Sequence, residues 1–265
     1  MKKLLVSVLL LFCNTVLASP VVNYDNGVYH IVLDGKEAAN KIDFITAEKL
    51  TTNADIHTAS RSLLTVNTGF FDPVNGETIS YINSKWGASA DPMFNTNLIT
   101  NPVLNKNLDK ILNRTEFRVY ECGVSTSYDI VPHSDIVKDG CFLTMSAQGG
   151  PEIYPSLRLE EEFFIQKDIS GKIIRESCAV LHKTARTIFA LKGKDIHIFI
   201  ITNKNPMTLK EASAYVKMFG VDKAMAFDGG SSTSLNYKDK INVVSVQSDG
   251  QDTGRKLKSF MIYSK

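Results

Sequence analysis

The sequence predicts an α+β fold: a single domain of mixed β-sheets with few helices and one βαβ unit near the C-terminus. Three observations lead there. Short apolar or alternating runs bounded by Gly, Asn, Asp and Pro recur along the whole chain, which is the pattern of strands. Clear helices are few, and residues 208–219 make the best of them, with both the spacing and the end signals of an amphipathic helix. That stretch lies between the apolar runs 196–201 and 223–227, so strand, helix and strand follow in the order of a crossover unit.

Taken in order, the chain opens with Lys2 and Lys3, an apolar stretch over residues 4–12 too short to span a bilayer, and small residues spaced for cleavage after Ala18. Residues 1–18 are therefore expected to be a secretory signal peptide and residues 19–265 the functional domain, secreted or periplasmic, with no membrane span in the mature chain. Removing the leader takes two lysines and no acid, leaving 28 basic against 28 acidic side chains. A net charge near zero argues against a general nucleic-acid binder.

Residues 28–33 alternate as a strand and stop at Asp34-Gly35, where a hairpin turn is expected. Residues 63–66 form a short buried strand, interrupted by Asn67-Thr-Gly-Phe-Phe-Asp72. The stretch 75–107 is rich in Asn, Ser, Thr, Gly and Pro and reads mainly as loop, of the kind that supplies lids and binding segments. Further strands are expected at 117–120, 142–145, 187–191 and 196–201. In the helix, Thr208 and Glu211 have capping-box spacing, Ala212, Tyr215, Val216 and Phe219 share one face, and Gly220 ends it. The strand 223–227 then delivers Asp228 at its carboxyl end, the sheet edge that favours sites.

Beyond the leader lie Cys122, Cys141 and Cys178. An odd number leaves at least one thiol without an intramolecular partner; Cys122 with Cys141 is one candidate bridge, and the sequence does not choose the pair. None has metal-ligand spacing, and all three read as structural.

Four polar clusters follow or interrupt the strands. The first offers the Asn67 amide, the permissive Gly69 and the acid Asp72; the second offers Gln148, Gly149, Gly150 and Glu152. In the third, Arg186 stands just before a strand with Thr187, and its fork suits a phosphate. The fourth, Asp228-Gly229-Gly230-Ser231-Ser232, joins an acid to glycines that let backbone amides approach an anion. Asp72 is the candidate second carboxylate, with Glu152 behind it. A divalent cation on Asp72 or Asp228 is a further use of these acids, although no dense ligand motif is present and metal ligands stay unassigned. His197 lies in an apolar strand and reads as a packed core residue, whereas His182 is close to Arg186 in sequence. No Ser-His-Asp order is present, so Ser231 and Ser232 read as donors rather than nucleophiles. Asn113-Arg-Thr115 matches a glycosylation acceptor, a triplet frequent by chance.

In this order and spacing the four clusters resemble the phosphodiester glycosidase family. Its pattern is an Asn before a Gly-Phe-Phe turn, a Gln-x-Gly-Pro segment, an Arg-Thr before an apolar strand, and an Asp-Gly-Gly-Gly-Ser-Ser loop. Here these are Asn67 with Gly69-Phe70-Phe71, Gln148-Gly149-Gly150-Pro151, Arg186-Thr187, and Asp228-Gly229-Gly230-Ser231-Ser232, a span of about residues 63–235. Ser231 replaces the family's third glycine. The resemblance implies hydrolysis of a sugar 1-phosphodiester, in envelope glycopolymers or glycolipids, releasing sugar and a phosphomonoester. It implies Asp228, Arg186 and Asp72 as catalytic groups. Asn67, Gly69, Gln148, Gly149, Gly150, Thr187, Gly229, Gly230, Ser231 and Ser232 would bind substrate. Two alternatives stay open: a non-catalytic module binding carbohydrate or phosphate on the same fold, and a phosphodiesterase that cleaves phosphorus from oxygen.

Overall fold

The computed structural model describes residues 20–245 and 254–265; the expected leader lies outside the described residues. The largest sheet has six strands in the order β1 (Val21–Asp25), β2 (Val28–Leu33), β13 (Asp195–Ile201), β12 (Arg186–Lys192), β14 (Lys223–Ala226) and β9 (Glu152–Tyr154). A second sheet orders β16 (Ile241–Val244), β15 (Ser234–Tyr237), β4 (Leu64–Asn67), β17 (Leu257–Tyr263) and β3 (Ile42–Thr51). The third contains β5 (Ile82–Asn83), β8 (Phe142–Gln148), β6 (Thr115–Cys122) and β7 (Ser125–Pro132), and β10 (Ile165–Lys167) pairs with β11 (Ile173–Glu176) alone.

Side chains of the three larger sheets meet in one core. Phe117 of β6 sits at its centre, with its ring 5.8 Å from Phe44 of β3 and 5.8 Å from Phe189 of β12. Strand β12 is buried on both faces, because α6 (Leu209–Lys217) covers the side turned away from this core with Leu209, Ala212 and Val216. Burial on both faces explains why residues 187–191 read as a continuous apolar run.

The helix is capped as its sequence predicts. Thr208 Oγ1 accepts from the Glu211 amide (3.1 Å), Glu211 Oε2 accepts from the Thr208 amide (2.9 Å), and Gly220 follows at φ +68°. The crossover unit is present in split form: β13 and β14 run parallel to each other but flank β12, to which both pair antiparallel.

The hairpin expected at Asp34-Gly35 lies elsewhere. Its turn is Asn26-Gly27, with φ of 43° and 80°, because a two-residue hairpin needs left-handed conformations that Asn and Gly tolerate. Asp34 instead accepts from the Glu37 amide and caps the short helix α1 (Gly35–Ala38). Helix α2 (Asn53–Ser60) follows β3.

The Asn-rich stretch expected as loop also contains short helices, α3 (Thr96–Thr100) and α4 (Pro102–Asn105), with α5 (Leu108–Leu112) directly after it. Asn95 and Asn101 cap the first two by accepting from the Leu98 and Val103 amides. The composition that signals loop is here the composition of repeated N-caps.

A disulfide joins Cys122 at the end of β6 to Cys141 just before β8, while Cys178 is free. With a sequence separation of 19, its loss is expected to cost about 3 kcal/mol. Urea unfolding of Cys141→Ser beside the parent protein measures this. No helix among the described residues is long and apolar enough to cross a membrane.

Candidate active site

The site forms where the first and second sheets meet. Asn67, the last residue of β4, is 1% exposed and acts as the junction. Its Nδ2 donates to the Asp228 carbonyl (2.6 Å), and its Oδ1 accepts from Thr187 Oγ1 (2.7 Å) and the Ser234 amide (3.0 Å). One amide thus ties β4, β12 and the start of β15 to the loop after β14. The Asp228 amide donates to the Thr68 carbonyl and the Gly230 amide to the Ala185 carbonyl, which completes the loop's anchoring.

Asp228, Gly229, Gly230 and Ser231 line a cavity of about 440 Å³. Gly230 takes φ +59°, so the left-handed position of the loop is already a glycine. Ser231 falls in the following 3₁₀ turn, without a positive φ, and its Oγ accepts from Arg255 Nη1 at 3.2 Å. Replacing the family's third glycine with Ser231 therefore leaves the loop backbone unstrained. Ser231→Gly is expected to leave the fold intact and to remove one ligand of Arg255, read as a rise in KM of less than about tenfold.

Burial raises the Asp228 carboxyl to about 6, partly opposed by its hydrogen bond from Ser232 and by the charge of Arg255. Among the described residues lining the cavity, it is the one carboxylate. Three guanidinium groups share the space, from Arg114, Arg175 and Arg255. Each lies over a phenylalanine: Arg114 4.1 Å from the Phe164 centroid, Arg175 4.0 Å from Phe163, and Arg255 4.8 Å from Phe71. The rings hold one face of each plane and help fix the direction of its N–H edge. Burial lowers the affinity of Arg114 and Arg175 for their protons, the signature of cations held out of water. Such a cluster suits an anion with several oxygens.

The other candidate site residues singled out in the sequence do not line this cavity. Arg186 is 3% exposed; its Nε donates to the Met207 carbonyl, and its Nη2 to the carbonyls of Ala179 and His182. It clamps the turn beside Cys178 and does not line the main cavity, although it packs near Gly229. Asp72 also lies outside the lining: its Oδ1 accepts from the Val74 amide and its Oδ2 from Asn97 Nδ2, closing a turn. Glu152 accepts from Ser156 and pairs with Arg158. Gln148 is fully buried and donates to the carbonyls of Leu112 and Arg114, which holds Arg114 in place. Gly149 abuts Phe227 so closely that a Cβ would come within 2.5 Å of the ring, Gly150 abuts Glu162, and Gly69 abuts Ser80. His182 pairs with Glu176 at the surface, and His197 is a buried partner of His30. No group of three or more His, Cys, Asp or Glu side chains suited to a metal ion occurs among the described residues.

The three cavity arginines carried little sequence signal. Arg114 stands immediately before β6, as Arg186 stands at the start of β12, and this shared placement is the one clue. Its glycosylation-type triplet is engaged in the fold: Asn113 Oδ1 accepts from the Ser134 amide, and Thr115 Oγ1 donates to the buried Glu162.

A family model described as phosphodiester glycosidase matches residues 60–263. No curated protein sequence matches the chain. Among solved structures, the zebrafish N-acetylglucosamine-1-phosphodiester alpha-N-acetylglucosaminidase catalytic domain, auto-inhibited by its pro-peptide, is similar with a TM-score of 0.64 and 13% identity, over 93% of this chain and 81% of that one. A protein from Burkholderia pseudomallei gives a TM-score of 0.59 at 9% identity, over 90% of this chain and 74% of that one. One from Synechocystis gives 0.56 at 13%, over 91% of this chain and 60% of the other. At such identities the likeness is one of fold.

Proposed function

Because the chain belongs to the phosphodiester glycosidase family, we propose that it hydrolyses the bond between the anomeric carbon and oxygen of a sugar 1-phosphodiester, releasing free sugar and a phosphomonoester. The observation that carries this reading is the one cavity whose lining joins Asp228 to three guanidinium groups and the backbone of Gly229 to Ser231. Phosphate leaves without needing the protonation that an alkoxide requires, so a lone carboxylate suffices where ordinary glycosidases use two.

In this mechanism Arg114, Arg175 and Arg255 take up the charge of the departing phosphate, a preorganised stabilisation that exceeds what water offers. The Asp228 carboxylate stabilises or captures the cationic anomeric carbon. Water supplies the hydroxyl to that carbon, and its proton ends on phosphate or solvent. Arg186, Asn67, Thr187 and Gln148 position these groups from behind. The disulfide fits an oxidising compartment, so we place the activity in a secreted or periplasmic setting, on envelope glycopolymers or glycolipids.

Incubation with methyl N-acetylglucosamine-1-phosphate tests the reading through release of N-acetylglucosamine. Asp228 must be ionised to act as described, so kcat is expected to rise with pH through about 6 and then level off. A rate falling over that range would assign Asp228 as an acid, and absence of sugar release at any pH would contradict the hydrolase.

A further inference from the structure

The lining of the cavity is of two chemical kinds, guanidinium groups and aliphatic side chains. Beside the arginines it is lined by Ile79 and by Leu98, Leu104 and Ile111, which helices α3 to α5 supply; Leu98 and Ile111 pack with Phe163, the ring under Arg175. Aliphatic side chains offer nothing to sugar hydroxyls, which would lose water there without gaining a partner. Phe70 and Phe71, also in the cavity, each carry a guanidinium over the ring.

The outer side of the same segment exposes large apolar side chains among polar ones. Phe94 is 80% exposed, Val103 54% and Met93 43%, and Val74 is 80% exposed on the neighbouring turn. That turn is stitched to the segment by Asn75 Nδ2 to Asn95 Oδ1 (2.9 Å) and by Asn97 Nδ2 to Asp72 Oδ2 (2.6 Å). Val103 directly precedes the cavity-lining Leu104 on α4, so one short helix carries an exposed apolar side chain next to one that lines the cavity. Exposed apolar side chains on a segment that also lines a cavity offer an apolar ligand a way on to the surface.

We propose that the second ester arm of the substrate is an aliphatic chain, making it a lipid-linked sugar phosphate. The phosphate rests on the arginines while the chain follows Ile79, Leu98, Leu104 and Ile111 towards the exposed Val103 and Phe94. This rests on the hydrolase reading and narrows its substrate class. Guanidinium groups and aliphatic side chains in one cavity match the two ends of an alkyl phosphate. A glycopolymer arm rich in hydroxyls matches the guanidinium groups only.

Calorimetry of the intact protein with the phosphomonoester half of the substrate tests this without requiring turnover. Decyl phosphate is expected to bind at least about 30-fold more tightly than ethyl phosphate, as burial of several methylenes implies. Citronellyl phosphate, which also has ten carbons, distinguishes an isoprenoid chain from a straight one, and tight binding of either supports the proposal. In Leu104→Asn, at a partly exposed position, the advantage is expected to fall below about fivefold. Equal binding of ethyl and decyl phosphates by the parent protein, or an advantage unchanged in the variant, overturns the proposal. Sugar release from methyl and decyl sugar phosphodiesters, measured alongside, separates the two readings. Turnover with no chain preference refutes the lipid arm alone, whereas chain-dependent binding without turnover refutes the hydrolase alone.

Discussion

Asp228→Asn is expected to lower kcat on a sugar 1-phosphodiester by at least about a thousandfold, the scale of losing the charge that meets the transition state. The same change is expected to stabilise the folded protein at neutral pH. The sign follows from linkage: burial raises the carboxyl to about 6 in the folded state, so between its unfolded value of 3.8 and that point the native chain binds more protons than the unfolded one. Wild-type stability therefore falls as pH climbs across this window and stays lower above it. Asn carries no charge to desolvate, so the variant gains over the parent above about pH 6 and loses that gain near pH 4. Thermal melts of both proteins at pH 4 and pH 7.5, with initial rates, check activity and stability together. A variant as active as the parent would remove Asp228 from the chemistry.

Asn67→Ala carries the second large effect. It deletes one side chain that makes three buried hydrogen bonds and leaves the Asp228 carbonyl, the Thr187 hydroxyl and the Ser234 amide without it. Stranded buried polar groups cost about 1–3 kcal/mol each, so destabilisation of at least about 3 kcal/mol is expected in urea titrations. Activity should fall beyond what unfolding explains, because the backbone that carries Asp228 loses its tether to β4. Rates measured well below the unfolding midpoint and normalised to the folded fraction separate the two losses. Full activity per folded molecule would limit Asn67 to a stabilising role.

How far the site is legible in the sequence depends on how local its causes are. The Asp228 loop, the strand before it and the capped helix before that strand all follow from neighbouring residues: apolar spacing, the Thr208–Glu211 box and a glycine pair. Asn67 is visible as a polar residue ending a buried strand, but its partners lie 120 and 167 residues away and emerge only with the fold. Arg186 illustrates the limit from the other side. Its place before an apolar strand draws attention, yet its fork is occupied by the carbonyls of Ala179, His182 and Met207. Arg114, Arg175 and Arg255 come from three separate parts of the chain and converge because Phe164, Phe163 and Phe71 seat them, which no local pattern announces. The Asn-rich segment reads in the sequence as a loop of the kind that supplies lids and binding segments, while its helices are hidden because Asn serves caps and loops alike.

The central claim is that the bond between sugar and oxygen breaks. Turnover of methyl N-acetylglucosamine-1-phosphate in ¹⁸O-labelled water measures it directly, with mass analysis of both products. The account predicts label on the anomeric hydroxyl of the released sugar and unlabelled methyl phosphate. Label in the phosphate, with the sugar oxygen unexchanged, would contradict it.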